Sequence, residues 1–299
     1  MKKGSRLEMA GATGFWRKRK GAGNMEITKM HGLGNDFIVI DNREGAAGDA
    51  ASLARRLCHR RLGVGADGLL LLEDAEQADA RMRIINADGS EAEMCGNGIR
   101  CFARYFHDRF APDREEFAFA TLAGIMRPRL EMKDGRVAGI RVDMGAPSFD
   151  RGAIPMAGEG SPLNVRLEAA GQTVTAHCVL MGVPHMVVPC DSVDDIDFAH
   201  LGPALEAHPQ FPRKINVNFV ELTGPNTVRV RTWERGAGPT MACGTGACAT
   251  AVVLNELGLT GPAVDIQLEA GCMHIERTAQ TVYMTGPAEY VFVGELLSK

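Results

Sequence analysis

Two cysteines stand in matched surroundings. Cys95 opens Cys95-Gly96-Asn97-Gly98, Cys243 opens Cys243-Gly244-Thr245-Gly246, and the second follows the first after 243 − 95 = 148 residues. In both copies a glycine-containing turn runs into a helix-forming segment, which places a thiol at a helix N-terminus. Free backbone N–H groups and the positive end of the helix dipole favour a thiolate there. Both thiols are therefore expected to titrate below the ordinary cysteine value of about 8.5.

Two thiols on opposite sides of one substrate could form a redox disulfide, bind a metal, or work as acid and base. Redox couples favour Cys-x-x-Cys or an exposed resolving cysteine, and the sequence has neither. A metal would need further ligands, whereas each turn offers one sulfur at its tip; no metal is expected. General acid–base catalysis remains, with one thiolate removing a proton from carbon while the opposite thiol delivers one to the other face. Inversion of a stereocentre needs that two-sided arrangement. An amino acid α-proton is weakly acidic, so two helix N-termini aimed at the α-carboxylate would supply preorganised donors. Residues 25–299 hold four lysines, at 29, 133, 214 and 299. None lies in a recognisable pyridoxal phosphate motif, so no cofactor is expected.

The elements that carry these turns can be read from period and punctuation. Glu26–Met30 alternates as a strand, His31–Asp36 reads as a turn or binding loop, and Phe37–Ile40 as a buried strand. Asp49 caps a helix expected over Ala50–Arg61. A glycine loop at Gly63–Gly68 leads into strand Leu69–Glu73, and strand Arg81–Asn86 delivers the chain to Cys95 and its helix, ending near His107. Strands at Phe117–Thr121, Ile125–Met132 and Val137–Met144 follow.

An ungapped shift of 148 aligns 13 identical pairs in the 70 positions from 34 to 103, Gly34/Gly182, Asp49/Asp197, Arg83/Arg231 and Ala103/Ala251 among them. Pro184–Val188, Asp197–Ala207, Asn216–Leu222 and Thr227–Glu234 become the second-half counterparts. The chain reads as a duplicated strand–helix unit of α/β class (α+β type). Two pseudo-symmetric domains are expected, each a sheet wrapped around a central helix, with the active site in the interdomain cleft. Regular parallel βαβ winding is disfavoured, because helices do not alternate evenly with strands.

Composition narrows the class. Residues 1–24 carry Lys2, Lys3, Arg6, Arg17, Lys18, Arg19 and Lys20 against Glu8, a net +6; the chain totals −4, leaving −4 − 6 = −10 on residues 25–299. An acidic body argues against a nucleic-acid partner. The basic head lacks an apolar h-region and reads as a disordered extension, with the folded chain beginning near Met25. No apolar run approaches the roughly 20 residues of a membrane span. The eight cysteines are expected as free thiols in a reducing cytoplasm. The Gly63–Gly68 loop lacks Gly-Lys-Ser/Thr and is not a phosphate loop.

The segments His31-Gly32-Leu33-Gly34-Asn35-Asp36-Phe37, Asn86-Ala87-Asp88-Gly89-Ser90, Cys95-Gly96-Asn97-Gly98, Glu234-Arg235-Gly236-Ala237-Gly238 and Ala242–Cys248 resemble those of diaminopimelate epimerases. The resemblance covers residues 25–299. It implies cofactor-independent interconversion of LL- and meso-2,6-diaminopimelate, in lysine and peptidoglycan precursor synthesis. It also implies an N-terminal domain of residues 25–145 plus 287–299 and a C-terminal domain of 146–286. Carried over, Cys95 and Cys243 are the acid–base pair, and Gly96, Asn97, Gly244 and Thr245 hold the reacting carboxylate. Asn35, Asn86, Asn216 and Arg235 match substrate-binding positions; Glu234 and His185 match polar groups near the reacting centre. Val183 stands where the family commonly has Asn and Gly68 where some members have Gln, and both bear on the distal end of the substrate. A related racemase or epimerase of another amino acid, or a silent two-domain binding protein, would share these features. The expected partner is a small amino acid substrate. A homodimer is expected.

Overall fold

The computed structural model describes residues 25–297. The extension expected at residues 1–24 lies outside the described residues. The first half runs β1 (Met25–Gly32), β2 (Asn35–Asp41), α1 (Ala50–Leu57), β3 (Gly68–Glu73), β4 (Ala80–Asn86), β5 (Glu91–Ala92) and α2 (Gly96–Phe110). Then come β6 (Phe119–Thr121), β7 (Gly124–Met126), β8 (Arg129–Lys133) and β9 (Arg136–Asp143). The second half runs β10 (Val165–Ala169), β11 (Gln172–Met181), β12 (Val183–Pro189), α3 (Phe198–Glu206), β13 (Asn216–Gly224), β14 (Thr227–Glu234), β15 (Gly238–Thr240) and α4 (Gly244–Glu256). It closes with β16 (Ala263–Leu268), β17 (Gly271–Arg277), β18 (Val282–Gly286) and β19 (Glu289–Leu296).

The repeat is a repeat of structure. Strand β2 starts at 35 and β12 at 183, α1 at 50 and α3 at 198, α2 at 96 and α4 at 244, each offset by 148. Register obeys the same offset: Phe37 faces Gly68 in the parallel β2–β3 pair, and His185 faces Asn216 in the parallel β12–β13 pair. Leu69 faces Ile85 as Val217 faces Trp233. Two sheets result, one of eight strands ordered β19-β1-β2-β3-β4-β6-β7 with β5 on β4. The other has eleven, ordered β10-β11-β12-β13-β14-β16-β17-β18-β9-β8 with β15 on β14.

Each sheet is apolar on both faces, which explains runs such as Leu69–Leu72 that do not alternate. Leu70 and Leu72 face the central core with Phe37, Val39 and α2, whereas Leu69 and Leu71 face the α1 side with Ile38 and Ile40. In the second sheet Val187 and Val220 join the central core, and Met186, Val188, Val217 and Phe219 pack with α3. Helix α4 is buried along Gly246–Leu254, as a helix apolar all round must be.

Four local expectations shift. The first turn is tighter: β1 continues to Gly32, and Leu33 (φ 54°) and Gly34 (φ 83°) form a two-residue hairpin of the positive-φ type. Helix α1 stops at Leu57, not Arg61, because the N–H groups of Gly65 and Ala66 donate to the carbonyls of Leu57 and Cys58. A Cβ at Gly63 would collide with the Arg56 carbonyl, so the chain can fold back on the helix only with glycine there. The strand expected over Ile125–Met132 is two strands, interrupted at Arg127-Pro128, where proline brings no N–H. Asp197 precedes α3 without a side-chain cap bond, unlike Asp49, which accepts from the Ser52 N–H.

The two sheets exchange strands. β9 pairs with β18 and β8 with β9, so residues 129–143 belong to the second sheet although they precede Gly145 in sequence. β19 returns to pair with β1 in the first.

Candidate active site

Cys95 is the N-cap residue of α2, with extended backbone (φ −141°, ψ 121°) and its Sγ accepting from the Gly98 N–H at 3.4 Å. Its thiol donates to Asn35 Oδ1 at 3.5 Å, and Asn97 Nδ2 donates to the same oxygen at 3.2 Å. Asn35 is oriented in turn by Asp67, whose Oδ2 accepts from Asn35 Nδ2 at 2.7 Å and from the Asp36 N–H at 3.0 Å. Asp67 also pairs with Arg60 at 2.7 Å. Three of the expected residues, Asn35, Cys95 and Asn97, thus form one hydrogen-bonded group.

Cys243 is the N-cap residue of α4 (φ −123°, ψ 112°). It is buried, and its Sγ lies 3.5 Å from the hydroxyl of Thr245. Glu234 ends β14 and accepts from the Thr240 hydroxyl at 2.7 Å. Asn218 is fully buried beneath this turn and accepts from the Thr232 hydroxyl at 3.1 Å.

The two helix N-termini meet over Met284 of β18. A Cβ built on Gly96 would sit 2.9 Å from Met284 Cε, and one on Gly244 would sit 3.1 Å from Met284 Sδ and 4.0 Å from Asn97 Oδ1. Both glycines are needed so that the backbone N–H ends of α2 and α4 approach one thioether from two sides.

The thiols do not titrate as their local positions suggest. Burial pushes Cys95 up from the ordinary thiol value, against the Gly98 and Asn97 N–H groups and the charge of Arg100, which draw it down. Burial likewise pushes Cys243 up to about 12, with the Glu234 carboxylate next in effect; Thr245 and the Gly246 N–H oppose it. Desolvation disfavours a charged sulfur more strongly than one helix end favours it. The expected downward shift is therefore reversed at both positions. The Glu234 carboxylate disfavours the thiolate at both positions.

Among the described residues no group of three His, Cys, Asp or Glu side chains could hold a metal ion. Lys29 is engaged by Asp36 and the Gly65 carbonyl, and Lys214 by Glu206. All eight cysteines are free.

The family model described as diaminopimelate epimerase matches residues 27–149 and 177–291. A diaminopimelate epimerase of Moorella thermoacetica is 52% identical over 275 residues, 91% of this chain and 99% of that protein. One of Desulfitobacterium hafniense is 49% identical over 278 residues, 91% of this chain and 98% of that one. The chain belongs to the diaminopimelate epimerase family. Family membership makes it an isomerase. Solved structures share the fold at low identity. A PhzF-family phenazine biosynthesis protein of Bacillus anthracis has TM-score 0.67 and 15% identity, covering 92% of this chain and 99% of that one. A hydroxyproline epimerase of Agrobacterium vitis has TM-score 0.62 and 17% identity, covering 91% of each chain.

The remaining positions picked out by resemblance to diaminopimelate epimerases divide into two kinds. His185 is fully buried on β12, its Nδ1 3.2 Å from Asn218 Nδ2 and its Nε2 without a partner among the described residues. Asn216 turns both ends of its amide to backbone, donating to the Pro184 carbonyl at 2.9 Å and accepting from the Arg235 N–H at 2.9 Å. It therefore sets the position of Arg235, whose guanidinium donates to the Arg213 carbonyl at 3.1 Å. Asn86 faces Gly68 across β3–β4 and donates to the Ser90 hydroxyl at 2.9 Å. Gly68 has a structural reason: a Cβ there would lie 2.7 Å from the Ile85 carbonyl oxygen. Val183 opens β12 half-exposed, at the position that the repeat pairs with Asn35.

Asp67, Arg100, Asn218 and Met284 were not singled out by the sequence reading. Asn218 had a signal, a polar residue between Val217 and Phe219, and Arg100 a weaker one, a charge between Ile99 and Cys101. Met284 and Asp67 had none, since they reach the site from distant segments.

His185 carries a stability prediction. Burial, with Arg235 adding to it, lowers its pKa to about 3, whereas an unfolded histidine titrates near about 6.5. The unfolded chain takes up the proton first, so stability is complete above pH about 6.5 and falls as pH drops toward 3. The slope attributable to one such group is at most about 1.4 kcal/mol per pH unit. Denaturant unfolding at pH 6.5 and 5.5 should show a loss of about 1 kcal/mol that His185→Gln reduces; equal slopes would refute it.

Proposed function

We propose that the protein interconverts LL- and meso-2,6-diaminopimelate without a cofactor, by two-thiol proton transfer at Cα. One observation carries this reading: in a chain of this family, Cys95 and Cys243 cap two helices whose N-termini converge on Met284. Cys95 and Cys243 serve as base and acid on opposite faces. The Gly96, Asn97, Gly244 and Thr245 turns supply donors to the reacting carboxylate, and their preorganised dipoles stabilise the carbanionic transition state. Substrate entry supplies the charge that the buried thiols lack, because an α-ammonium beside a sulfur offsets the cost of its thiolate. Asn35, Asn86, Glu234 and Arg235 contact the substrate. His185 and Asn216 act from behind, on Asn218 and on Arg235.

The substrate sits between halves centred on α2 and α4, of residues 25–145 with 287–299 and 146–286, with β8 and β9 of the first crossing to the second sheet. The assembly is a homodimer, and the reaction belongs to lysine and peptidoglycan precursor synthesis in the cytoplasm. Free thiols throughout support the compartment. No helix among the described residues is long and apolar enough to cross a membrane.

Incubation with LL-diaminopimelate in D2O tests the reaction. Deuterium at Cα appearing together with meso product is the expected result. Exchange confined to a different amino acid would assign the protein to a related racemase activity, for which the apolar Val183 is the observation to follow. No exchange with any amino acid would leave a binding protein.

A further inference from the structure

Arg100 lies on α2 one turn beyond Gly96 and is completely buried. Its Nη1 donates to the Gly96 carbonyl at 3.0 Å, its Nη2 to Asn97 Oδ1 at 2.9 Å, and its Nε to the Pro287 carbonyl at 3.1 Å. Nη1 also lies 3.7 Å from Met284 Sδ. No carboxylate is within ion-pair distance of it among the described residues. Other buried charges here are matched: Lys29 pairs with Asp36 at 2.5 Å and Glu206 with Lys214 at 3.1 Å. An unpaired buried cation is costly and needs a compensating anion. The ionisable groups that act on Arg100 are three thiols, Cys101, Cys95 and Cys248.

The repeat shows that this cation breaks the symmetry. The 148-residue offset pairs Arg100 with Cys248, a fully buried neutral thiol, and pairs Glu234 with Asn86. One half-site therefore links Cys95 to a guanidinium through two amides, Asn35 and Asn97. The other surrounds Cys243 with a carboxylate and a hydroxyl, Glu234 and Thr245. The guanidinium lowers the cost of a sulfur anion at Cys95, whereas the carboxylate raises it at Cys243.

Arg100 also closes a chain of hydrogen bonds. It donates to Asn97, Asn97 donates to Asn35 Oδ1, and the Cys95 thiol donates to the same oxygen. Pro287 lies where β18 of the second sheet passes into β19 of the first, so both sheets orient the guanidinium. A Cβ on Gly286 would sit 3.2 Å from its Nε, which leaves no room for movement on that side.

We propose that Arg100 is the positioning residue of the Cys95 half-site. Its buried guanidinium is the counter-charge that offsets part of the cost of burial when Cys95 gives up its proton, and its terminal nitrogens set the directions of Gly96 and Asn97. The proposal rests on the two-thiol reading above. The other ionisable groups around Cys95 are Cys101 on α2, Glu234 on β14, the opposed Cys243 of the two-thiol reading and, behind Asn35, Asp67 with Arg60; Met284 on β18 is uncharged.

The test uses the full chain and its Arg100→Met and Arg100→Lys variants, with folding checked by near-UV circular dichroism. The pH dependence of iodoacetamide alkylation is followed at Cys95 and Cys243 by peptide mapping, alongside epimerisation of LL-diaminopimelate. Arg100→Met should raise the Cys95 alkylation midpoint by about one pH unit or more and leave that of Cys243 in place. Arg100→Lys, which keeps the charge but not the fork, should retain the Cys95 midpoint and lose about tenfold in kcat/KM. An unmoved Cys95 midpoint in folded Arg100→Met overturns the proposal. Full kcat/KM in Arg100→Lys also overturns it, and this variant carries the test if Arg100→Met does not fold. A raised Cys95 midpoint with undiminished epimerisation would uphold the counter-charge and sink the two-thiol reading instead.

Discussion

Cys95→Ser and Cys243→Ser should each slow conversion of LL- to meso-diaminopimelate by about 10²–10⁴-fold, the usual worth of one positioned acid or base. A serine hydroxyl holds its proton far more tightly than a thiol, so either change removes one half of the relay. Serine also separates chemistry from folding. Cys95 Sγ accepts from the Gly98 N–H, and serine is among the best N-cap residues. The melting temperature of Cys95→Ser should therefore match or exceed that of the parent while turnover collapses. Progress curves with each pure isomer, with a melt of the same sample, provide the measurement. Near-normal turnover in either variant would remove the two-thiol mechanism.

The second large effect is expected at Gly246. A Cβ there would collide with Asn218 Oδ1 and lie 3.3 Å from Cys243 Sγ. Asn218 cannot retreat: it is fully buried, accepts from Thr232 at 3.1 Å and donates to the Met186 carbonyl at 3.0 Å. Overpacking of this kind costs about 1–3 kcal/mol. The shift it forces falls on the catalytic turn, where a displacement near 1 Å can lower turnover by roughly 10²-fold. The repeat supplies the control. At the equivalent Gly98 the nearest atom is Leu70 Cδ2 at 3.2 Å, the end of a flexible side chain. Alanine there also gains up to about 1 kcal/mol of helix propensity. Gly98→Ala should be near neutral in stability and Gly246→Ala clearly destabilised. Equal denaturation midpoints for the two would show that Asn218 does not clamp the α4 N-terminus.

That asymmetry marks where reading residues in order runs out. The Cys-Gly-x-Gly turns, the helices behind them and the correspondence of the halves were legible because each is local or repeats at a constant offset. The 148-residue shift located helix starts and strand register alike, down to Phe37–Gly68 and His185–Asn216. The premature end of α1 was legible in part, since Gly63 and Gly65 announced a turn; the carbonyls they would engage were not. Its motif places Asn216 at a substrate-binding position, and the structure adds that its amide is engaged by Pro184 and Arg235 backbone. A motif identifies a position, but neighbours in space determine which way its side chain is turned.

The sequence by itself determined the fold class, the duplicated unit and the pair of thiols, because periodicity, turn chemistry and internal repetition are properties of short stretches. Only the tertiary structure decided that β8 and β9 cross to the second sheet, that the two helix ends meet over Met284, and that Arg100 is buried against the Gly96 carbonyl without a carboxylate partner among the described residues. It also reversed the expected titration of both thiols. A helix dipole acts over the first turn and can be read from sequence, whereas desolvation depends on every segment that packs over the sulfur.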